Sequence, residues 1–346
     1  MNPSLGLLLY SDGPLSELVN LARQSETLGY EYLWYTDVRF ARECYVGLSA
    51  VAANTTKLKM GPGVTDPYSR HPAITAAAMA TLDELSNGRA VLGLGSGGAG
   101  FRELGLERTL PIAAMRETVN MFKGLLRGET VTSQGKVVSL DGGKLSFKPV
   151  RDHIPVYFAT HGPQMTKLAG EIADGVLIAN TLQPAAFNFY VGKLMEGLAK
   201  AGRAPETLDI GLRVEACIDE DDEKAFTVMS RRVASRLLSQ YPHWDYLDEL
   251  GVTLPEEFVA MAQDRSLHDT AKAAKLLPPE VVESMVLAGN PKRVAEQLAR
   301  ALHPRVTQLT LRPHAVPGGT MASVVAAFAE QVYPSALQMR AAAEAA

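Results

Sequence analysis

The stretch KLKMGPGVTDPYSRHPAITAAAMATLDELSNGRAVLGLG (residues 57–95) decides the fold, because it holds a complete strand–helix–strand unit. The apolar run over 57–63 ends in glycine and proline, which is typical of a buried strand that stops at a turn. The segment 71–88 has a proline in its first turn and a glycine past its end, so it predicts a helix. A second short apolar run over 89–95 predicts the next strand. This order indicates a parallel sheet covered by helices.

The same alternation continues on both sides of this stretch. Eight strand-like runs are each preceded or followed by a helical pattern, at residues 5–10, 30–35, 57–63, 89–95, 154–160, 174–180, 208–218 and 306–313. Eight such units predict the α/β class and a (β/α)8 TIM barrel with insertions; a doubly wound open sheet is the alternative. We expect a single barrel domain over 1–346, with a small β-rich insertion near 130–150 and a helical insertion near 219–288.

Composition narrows the function classes. Hydrophobic residues make up 47% and charged residues 21% of the chain, which is typical of a globular protein. A net charge of -4 argues against nucleic acid as a partner, since phosphate binding needs a basic face. Cys44 and Cys217 are far apart, so we interpret both as reduced thiols. The N-terminus has no basic leader and no apolar run of spanning length, so we expect no membrane association and a cytoplasmic location.

Glycine-rich loops follow two of the predicted strands. In barrels of this class the active site lies at the carboxyl ends of the strands. GLGSGGAG (93–100) leaves a strand, and its amides and the Ser96 hydroxyl suit a phosphate; a plain flexible loop is the alternative, because no helix follows directly. The run 160–162 ends another strand, and Pro163 opens a helix whose exposed amides would bind an anion; alternatively Gly162 only relieves a tight turn.

Two ionisable residues are candidates for proton transfer. Asp37 follows the second strand and His71 precedes a predicted helix, although an aspartate there is also typical of a helix cap and His71 of a helix start. No His, Asp, Glu or Cys residues have metal-ligand spacing, and no serine stands in a nucleophile elbow. We therefore expect no metal site and chemistry carried by an organic cofactor.

Four stretches together resemble a known family: LGYEYLWYTD (28–37), the run 57–97, IPVYFATHGPQMTKLAGEIADGVLIAN (154–180) and CIDEDDEKA (217–225). They are similar to the bacterial-luciferase-like flavin and deazaflavin oxidoreductases, and most of all to the methylenetetrahydromethanopterin reductase branch. The resemblance implies a luciferase-like (β/α)8 barrel, a homodimer and a small-molecule substrate. It also implies coenzyme F-420 (8-hydroxy-5-deazaflavin) at the barrel mouth, with FMN as the alternative cofactor.

The resemblance also assigns roles to particular positions. It implies a non-prolyl cis peptide at Gly63–Val64, behind the ring of the deazaflavin. Tyr68, Ser69 and Arg70 would line the edge of the pocket. Taken with the strand-end argument, the positions expected to bind the cofactor are Asp37, Gly63, Val64, Thr65, Asp66, Gly95, Ser96, Gly97, Thr160, His161, Gly162, Pro163 and Asn180.

The chain departs from the reductases at three places. Leu8 stands where they carry a glutamate in the first strand, Val38 stands where they carry histidine, and GSGGAG (95–100) replaces a loop with proline and aspartate. Three functions remain open. The first is hydride transfer between an F-420-type coenzyme and a small organic substrate, with Asp37 or His71 as catalytic proton donor or acceptor. The alternatives are an FMN-dependent luciferase-like monooxygenase and a non-catalytic flavin-binding protein.

Overall fold

The computed structural model describes residues 2–98, 100–160, 162–179, 181–242, 244, 247 and 251–345. The expected fold class is confirmed: the protein is a (β/α)8 barrel. Its residues group into two compact units, which we describe separately. The N-terminal unit comprises 4–177 and 193–211, and the C-terminal unit comprises 1–3, 178–192 and 212–346. Whether the chain is one domain with two insertions stays a prediction.

The N-terminal unit alternates strands and helices from its start. Its elements are β1 (Ser4–Leu9), α1 (Leu15–Thr27), β2 (Tyr32–Tyr35), α2 (Cys44–Asn54), β3 (Lys59–Pro62), α3 (Pro72–Leu85), β4 (Leu92–Leu94), α4 (Pro111–Leu126), β5 (Val131–Gln134), β6 (Ser139–Gly143), β7 (Val156–Thr160) and α5 (Pro163–Ile172). β8 (Gly175–Ala179), α6 (Pro184–Lys200) and β9 (Asp209–Ile218) each contribute residues to both units.

The strands of the N-terminal unit are parallel, apart from one hairpin. β1 pairs with β2, β2 with β3, and β4 with β7, while single bridges at Met60–Ala90 and Thr65–Leu94 join β3 to β4. Parallel strands place their carboxyl ends at the same edge of a sheet, so the loops after β2, β3, β4 and β7 lie at one edge. β5 and β6 form a separate two-stranded antiparallel sheet inside the segment 130–150.

The C-terminal unit contains the long helices that follow β9. Its further elements are α7 (Asp222–Gln240), α8 (Glu256–Gln263), α9 (Thr270–Leu276), α10 (Pro279–Glu283), β10 (Leu287–Gly289), α11 (Pro291–Ala301), β11 (Gln308–His314), α12 (Met321–Ala327) and α13 (Tyr333–Ala345). The apolar faces of α7, α8, α9 and α10 share a core that includes Phe258, Met229 and Leu237. β10 pairs in parallel with the end of β9, with Leu287 opposite Ala216. The sequence did not predict β10, because three residues are too few to show a period.

Candidate functional site

The loop after β3 contains the predicted cis peptide. The bond between Gly63 and Val64 is cis, which confirms the expectation from the family resemblance. Backbone hydrogen bonds hold the loop on both sides. The Gly63 N–H donates to the Tyr35 carbonyl of β2 at 2.7 Å, and the Thr65 N–H donates to the Gly93 carbonyl of β4 at 3.0 Å. The position of the cis peptide is therefore set by two neighbouring strands.

The glycines near this loop are required by close packing. A Cβ placed on Gly63 would lie 2.7 Å from the Cβ of Trp34, and one on Gly93 would lie 2.1 Å from the Pro62 carbonyl oxygen. A Cβ on Gly95 would lie 2.6 Å from Cγ2 of Val64. Real carbon contacts are about 3.5–4.0 Å, so none of these positions accepts a side chain without movement. The glycine pattern after β4 thus lets its backbone pack against the loop after β3.

The loop after β4 has two backbone amides that are candidates for contact with an anion. The Gly95 N–H is already engaged, because it donates to the Thr65 carbonyl at 2.9 Å. The N–H groups of Ser96 and Gly97 donate no hydrogen bond to any residue that the structure describes. Gly97 has a φ of 66°, a left-handed conformation in which glycine is favoured. Ser96 and Gly97 therefore remain candidates for phosphate contact, whereas the Gly95 amide does not.

The N-terminus of α5 is the second candidate element for binding an anion. Gly162 precedes the helix and is exposed, and no side chain caps the first turn. Both the N–H and the hydroxyl of Thr166 bond to the Gly162 carbonyl at 2.9 Å, which fixes the start of the helix. Thr160, at the end of β7, lies 3.1 Å from the Thr166 hydroxyl through its own Oγ1. An exposed helix start with free first-turn amides binds anions through its dipole.

Asp66 organises the loop after β3. Its side chain is buried; Oδ1 accepts from the Tyr68 and Ser69 N–H groups at 2.9 and 2.8 Å, and Oδ2 accepts from the Ser69 hydroxyl at 2.7 Å. Arg39 forms an ion pair with the same carboxylate. These four donors engage both oxygens, so the Asp66 side chain holds the loop after β3 in its conformation. Thr65 beside it is fully buried. Cofactor contact by either residue stays a prediction.

Asp37 belongs to a charged network at the ends of β2 and β3. Its Oδ2 lies 3.7 Å from Nε of Arg70, whose Nη2 donates to Glu43 at 2.7 Å. The Arg70 guanidinium also lies 4.6 Å from the ring centre of Tyr45. Burial alone would lower the pKa of Arg70, but the nearby Asp37, Tyr45 and Glu43 outweigh it and raise this pKa. Arg70 therefore stays charged and orients the Asp37 carboxylate.

Sequence reasoning missed several residues of this network. Arg39 packs its guanidinium 5.5 Å from the ring centre of Phe101 and pairs with Asp66. Tyr45 and Cys44, at the start of α2, lie against the same charges. Burial is the largest cause that raises the pKa of Tyr45 and that of Cys44, and the nearby Asp37 charge raises both further, so both stay neutral. The available signal was Arg39, a cation two residues after the strand-end Asp37. Its partner Asp66, however, is 27 positions away along the chain.

His71 caps α3 at the protein surface. Its Nδ1 accepts from the Ala73 N–H at 3.2 Å, which places the proton on Nε2, and Nε2 lies 3.0 Å from the Ser139 carbonyl of β6. Both ring nitrogens are thus engaged by backbone groups. The geometry matches the helix-start alternative, and the catalytic role of His71 stays a prediction.

Leu8 makes apolar contacts at the position where the reductases carry a glutamate. It is buried in a cluster with Tyr32, Trp34, Val91, Tyr157 and Leu177. Its Cδ1 would lie 3.5 Å from a Cβ placed on Gly63, so it packs directly beneath the cis peptide. The first strand therefore contributes no acid at this position.

Two predicted positions, His161 and Asn180, lie outside the described residues. Among the residues that the structure does describe, no group of three or more His, Cys, Asp or Glu side chains is arranged to hold a metal ion. Within those same ranges, no helix has the length and apolar character needed to cross a membrane.

The fold and the close packing of the loops after β3 and β4 define the class. The chain is a barrel of the luciferase-like kind, and the model of the luciferase-like monooxygenase family matches residues 4–308. The chain belongs to this family, as its sequence indicated.

Named relatives support the closer resemblance. The 5,10-methylenetetrahydromethanopterin reductase of Archaeoglobus fulgidus is 33% identical over 308 residues, covering 88% of this chain and 91% of the relative. The F420-dependent glucose-6-phosphate dehydrogenase of Kineococcus radiotolerans is 29% identical over 92% of each chain. The solved structure of the coenzyme F420-dependent tetrahydromethanopterin reductase of Methanopyrus kandleri matches with a TM-score of 0.85 and 30% identity, covering 96% of this chain and 99% of that one.

Proposed function

We propose that the protein is an oxidoreductase that transfers a hydride between an F420-type deazaflavin coenzyme and a small organic substrate. The observation that carries the proposal is the loop after β3, which backbone hydrogen bonds hold between β2 and β4 beside the Ser96 and Gly97 amides. The F420-dependent relatives support it, since the chain aligns with them over most of its length.

The residues present fit such a coenzyme. A Cβ at Gly162 would meet no atom within 4 Å, so the α5 N-terminus leaves room for a phosphate group. The amides of Ser96 and Gly97 offer a second group of donors. Val64 and the cis peptide would support the ring, and the coenzyme, when bound, supplies the hydride acceptor or donor. The protein would position the coenzyme and supply the charged groups around it.

Asp37 is the residue that we propose for proton transfer. Its carboxylate is 15% exposed, so it is partly shielded yet reachable, and Arg70 orients it. Leu8 supplies no proton, and both ring nitrogens of His71 are engaged. Replacing Asp37 with asparagine should lower turnover more than coenzyme affinity, because the amide keeps the shape but does not exchange a proton. A loss of affinity with unchanged turnover would instead make Asp37 a coenzyme anchor.

A binding experiment tests the coenzyme directly. The purified protein is titrated separately with oxidised F420, reduced F420 and FMN, and fluorescence or equilibrium dialysis gives each Kd. We expect saturable binding of F420 that weakens when Gly162 is replaced by aspartate, since a carboxylate at the helix start repels a phosphate. Gly192→Asp, at an exposed position of α6 with no positive φ and no atom near its Cβ, is the matched control. An F420 Kd no better than that of FMN would refute the proposal.

An FMN-dependent monooxygenase is the second candidate, because the matching family is described by that activity. Oxygen consumption with reduced FMN that depends on an added organic substrate would favour it. The burial of Leu8 at the glutamate position keeps a non-catalytic flavin-binding protein as a third candidate. Tight coenzyme binding without turnover across alcohols, sugar phosphates and pterins would favour that function.

We further propose that the protein is a homodimer, as the resemblance implies, and that it is located in the cytoplasm. Light scattering after size-exclusion chromatography tests the dimer, and a mass corresponding to one chain of 37.2 kDa would refute it. Fractionation of the native cells tests the location.

A further inference from the structure

A groove lies beside the segment that leads into β7. Its walls are the end of α4 with the turn after it (126–128) and the segment 144–153, all within the N-terminal unit. Its volume is about 830 Å³, which lies within the range of roughly 300–1,000 Å³ that is typical of small-molecule sites. The segment 144–153 precedes the amino end of β7, whereas the candidate coenzyme site lies at the carboxyl ends of the strands. The groove is therefore distinct from the coenzyme site.

Two exposed apolar side chains share this groove. Phe147 is 37% exposed and Val150 is 55% exposed, and both line the same wall. A single exposed apolar side chain is normal on a protein surface, but apolar side chains grouped on a concave surface are typical of a ligand site. An apolar group bound in the groove would remove both side chains from water, which is favourable.

Two lysines on the same wall have no carboxylate partner. Lys144 and Lys148 are exposed, and neither forms an ion pair or a hydrogen bond with any residue that the structure describes. Among the described residues that line the groove, Asp152 is the one acidic side chain. Its charge acts on Arg127, because the Glu129 hydrogen bond and the nearby Asp152 charge together raise the pKa of Arg127. The two lysines therefore remain available to an anion.

Contacts with the rest of the N-terminal unit hold the segment 144–153 in place. Arg151 Nε donates to the Asp83 carboxylate at 2.9 Å, and its Nη2 donates to the Ala90 carbonyl at 2.8 Å. Pro149, between the lysines and Arg151, is buried. A wall fixed in this way exists before a ligand arrives, which lowers the cost of ordering it on binding.

We propose that the groove binds an amphipathic anion, a small molecule whose apolar body carries a carboxylate, sulfate or phosphate group. Phe147 and Val150 contact the apolar body, and the ammonium groups of Lys144 and Lys148 attract the anionic group. A solvated basic loop without a ligand is the alternative, but it explains neither the concave surface nor the exposed aromatic ring beside the lysines. The proposal is independent of the coenzyme proposal, because none of these residues belongs to the coenzyme site.

Calorimetric titration tests the groove with four probes at equal ionic strength: naphthoate, naphthalenesulfonate, naphthol and inorganic sulfate. Naphthol has the apolar body without the charge, and sulfate has the charge without the apolar body. We expect saturable binding of at least one aromatic anion, at least tenfold tighter than that of naphthol or sulfate. The tighter of the two aromatic anions identifies the preferred anionic group. Prior addition of F420 should leave this Kd unchanged.

Variants locate the binding on the protein. Phe147→Ser and Lys148→Gln should each weaken it at least fivefold. Leu267→Ser and Lys275→Gln, which replace an exposed leucine and an exposed lysine outside the groove, are the matched controls and should leave the Kd unchanged. Circular dichroism establishes that each variant is folded before titration, and Val150→Ser replaces Phe147→Ser if that variant does not fold.

Three outcomes would overturn the proposal. The first is the absence of saturable binding for both aromatic anions. The second is displacement of the bound anion by F420, since the anion would then occupy the coenzyme site. The third is an equal loss of affinity in the groove variants and in the matched controls, which would indicate non-specific adsorption.

Discussion

Replacing Gly95 with alanine should destabilise the protein through one identifiable contact. The new Cβ would lie 2.6 Å from Cγ2 of Val64, and the next nearest atoms would be the Val64 Cβ at 3.7 Å and the Ala159 carbonyl oxygen at 3.9 Å. The first distance is shorter than a normal carbon contact by about 1 Å, whereas the other two are ordinary. Gly95 has no positive φ, so the backbone accepts alanine.

The expected loss of unfolding free energy follows from this geometry. Overpacking of this kind costs about 2 kcal/mol of unfolding free energy. Val64→Ala alone removes two methyl groups from a half-buried side chain and should cost about 1 kcal/mol. The double variant loses the clash along with the methyl groups, so it should also cost about 1 kcal/mol, which is a coupling of about 2 kcal/mol in its favour.

Urea unfolding of the four proteins, followed by circular dichroism, measures this coupling, and an F420 titration on the same samples measures the site. We expect Gly95→Ala to weaken coenzyme binding as well, because it displaces the cis peptide, and Val64→Ala to recover part of that loss. Additive effects of the two substitutions on stability would refute the packing argument. A destabilised Gly95→Ala variant with unchanged coenzyme affinity would refute the link between Val64 and the coenzyme.

Three further predictions concern other charged or apolar positions. Asp83→Asn should lower the unfolding free energy by about 3 kcal/mol, measured by urea denaturation, because it leaves the Arg151 guanidinium beside a neutral, buried partner. Leu8→Glu should lower the melting temperature without raising turnover, because its carboxylate would be buried against Trp34. The Glu215 carboxylate, with its lowered pKa, stabilises the fold above about pH 4.5 and loses this contribution as the pH falls further. The difference in unfolding free energy between the wild type and Glu215→Gln should therefore become smaller from pH 5 to pH 3.

Each of these predictions has a contradicting outcome. An Asp83→Asn variant as stable as the wild type would mean that Arg151 finds water or another partner. A Leu8→Glu variant with wild-type stability and higher turnover would show that the apolar cluster tolerates the glutamate of the reductases. A stability gap for Glu215→Gln that stays constant down to pH 3 would place the acid sensitivity in other carboxylates.

The sequence predicted the barrel well because strand and helix periods are local. All eight strand-like runs overlap a strand of the structure, and the proline in the first turn of α3 and the glycine beyond its end mark that helix correctly. β10 was missed because a three-residue strand carries no period, and its pairing with β9 joins positions 71 residues apart.

The candidate site was predictable only in part. The cis peptide came from the family resemblance, since nothing in the spacing of GPGV specifies it. The glycines after β4 were interpreted as phosphate donors, and the structure shows that Gly93 and Gly95 are needed for backbone packing. The pairing of Arg70 with Asp37 joins residues 33 positions apart, and such contacts depend on how strands are placed side by side. Local patterns do not carry that information.

The reactivity of the two cysteines should report local unfolding of the protein. Cys44 is 1% exposed and Cys217 is fully buried, and burial raises the pKa of both, that of Cys217 to about 11. The reactive thiolate is scarce in the folded state, so a maleimide or disulfide reagent should modify these thiols only when the surrounding structure opens. One lies in each compact unit, so mass spectrometry of the labelled peptides would time the opening of the units separately. A single cysteine introduced at the surface would likewise accept a fluorophore without removal of the native pair.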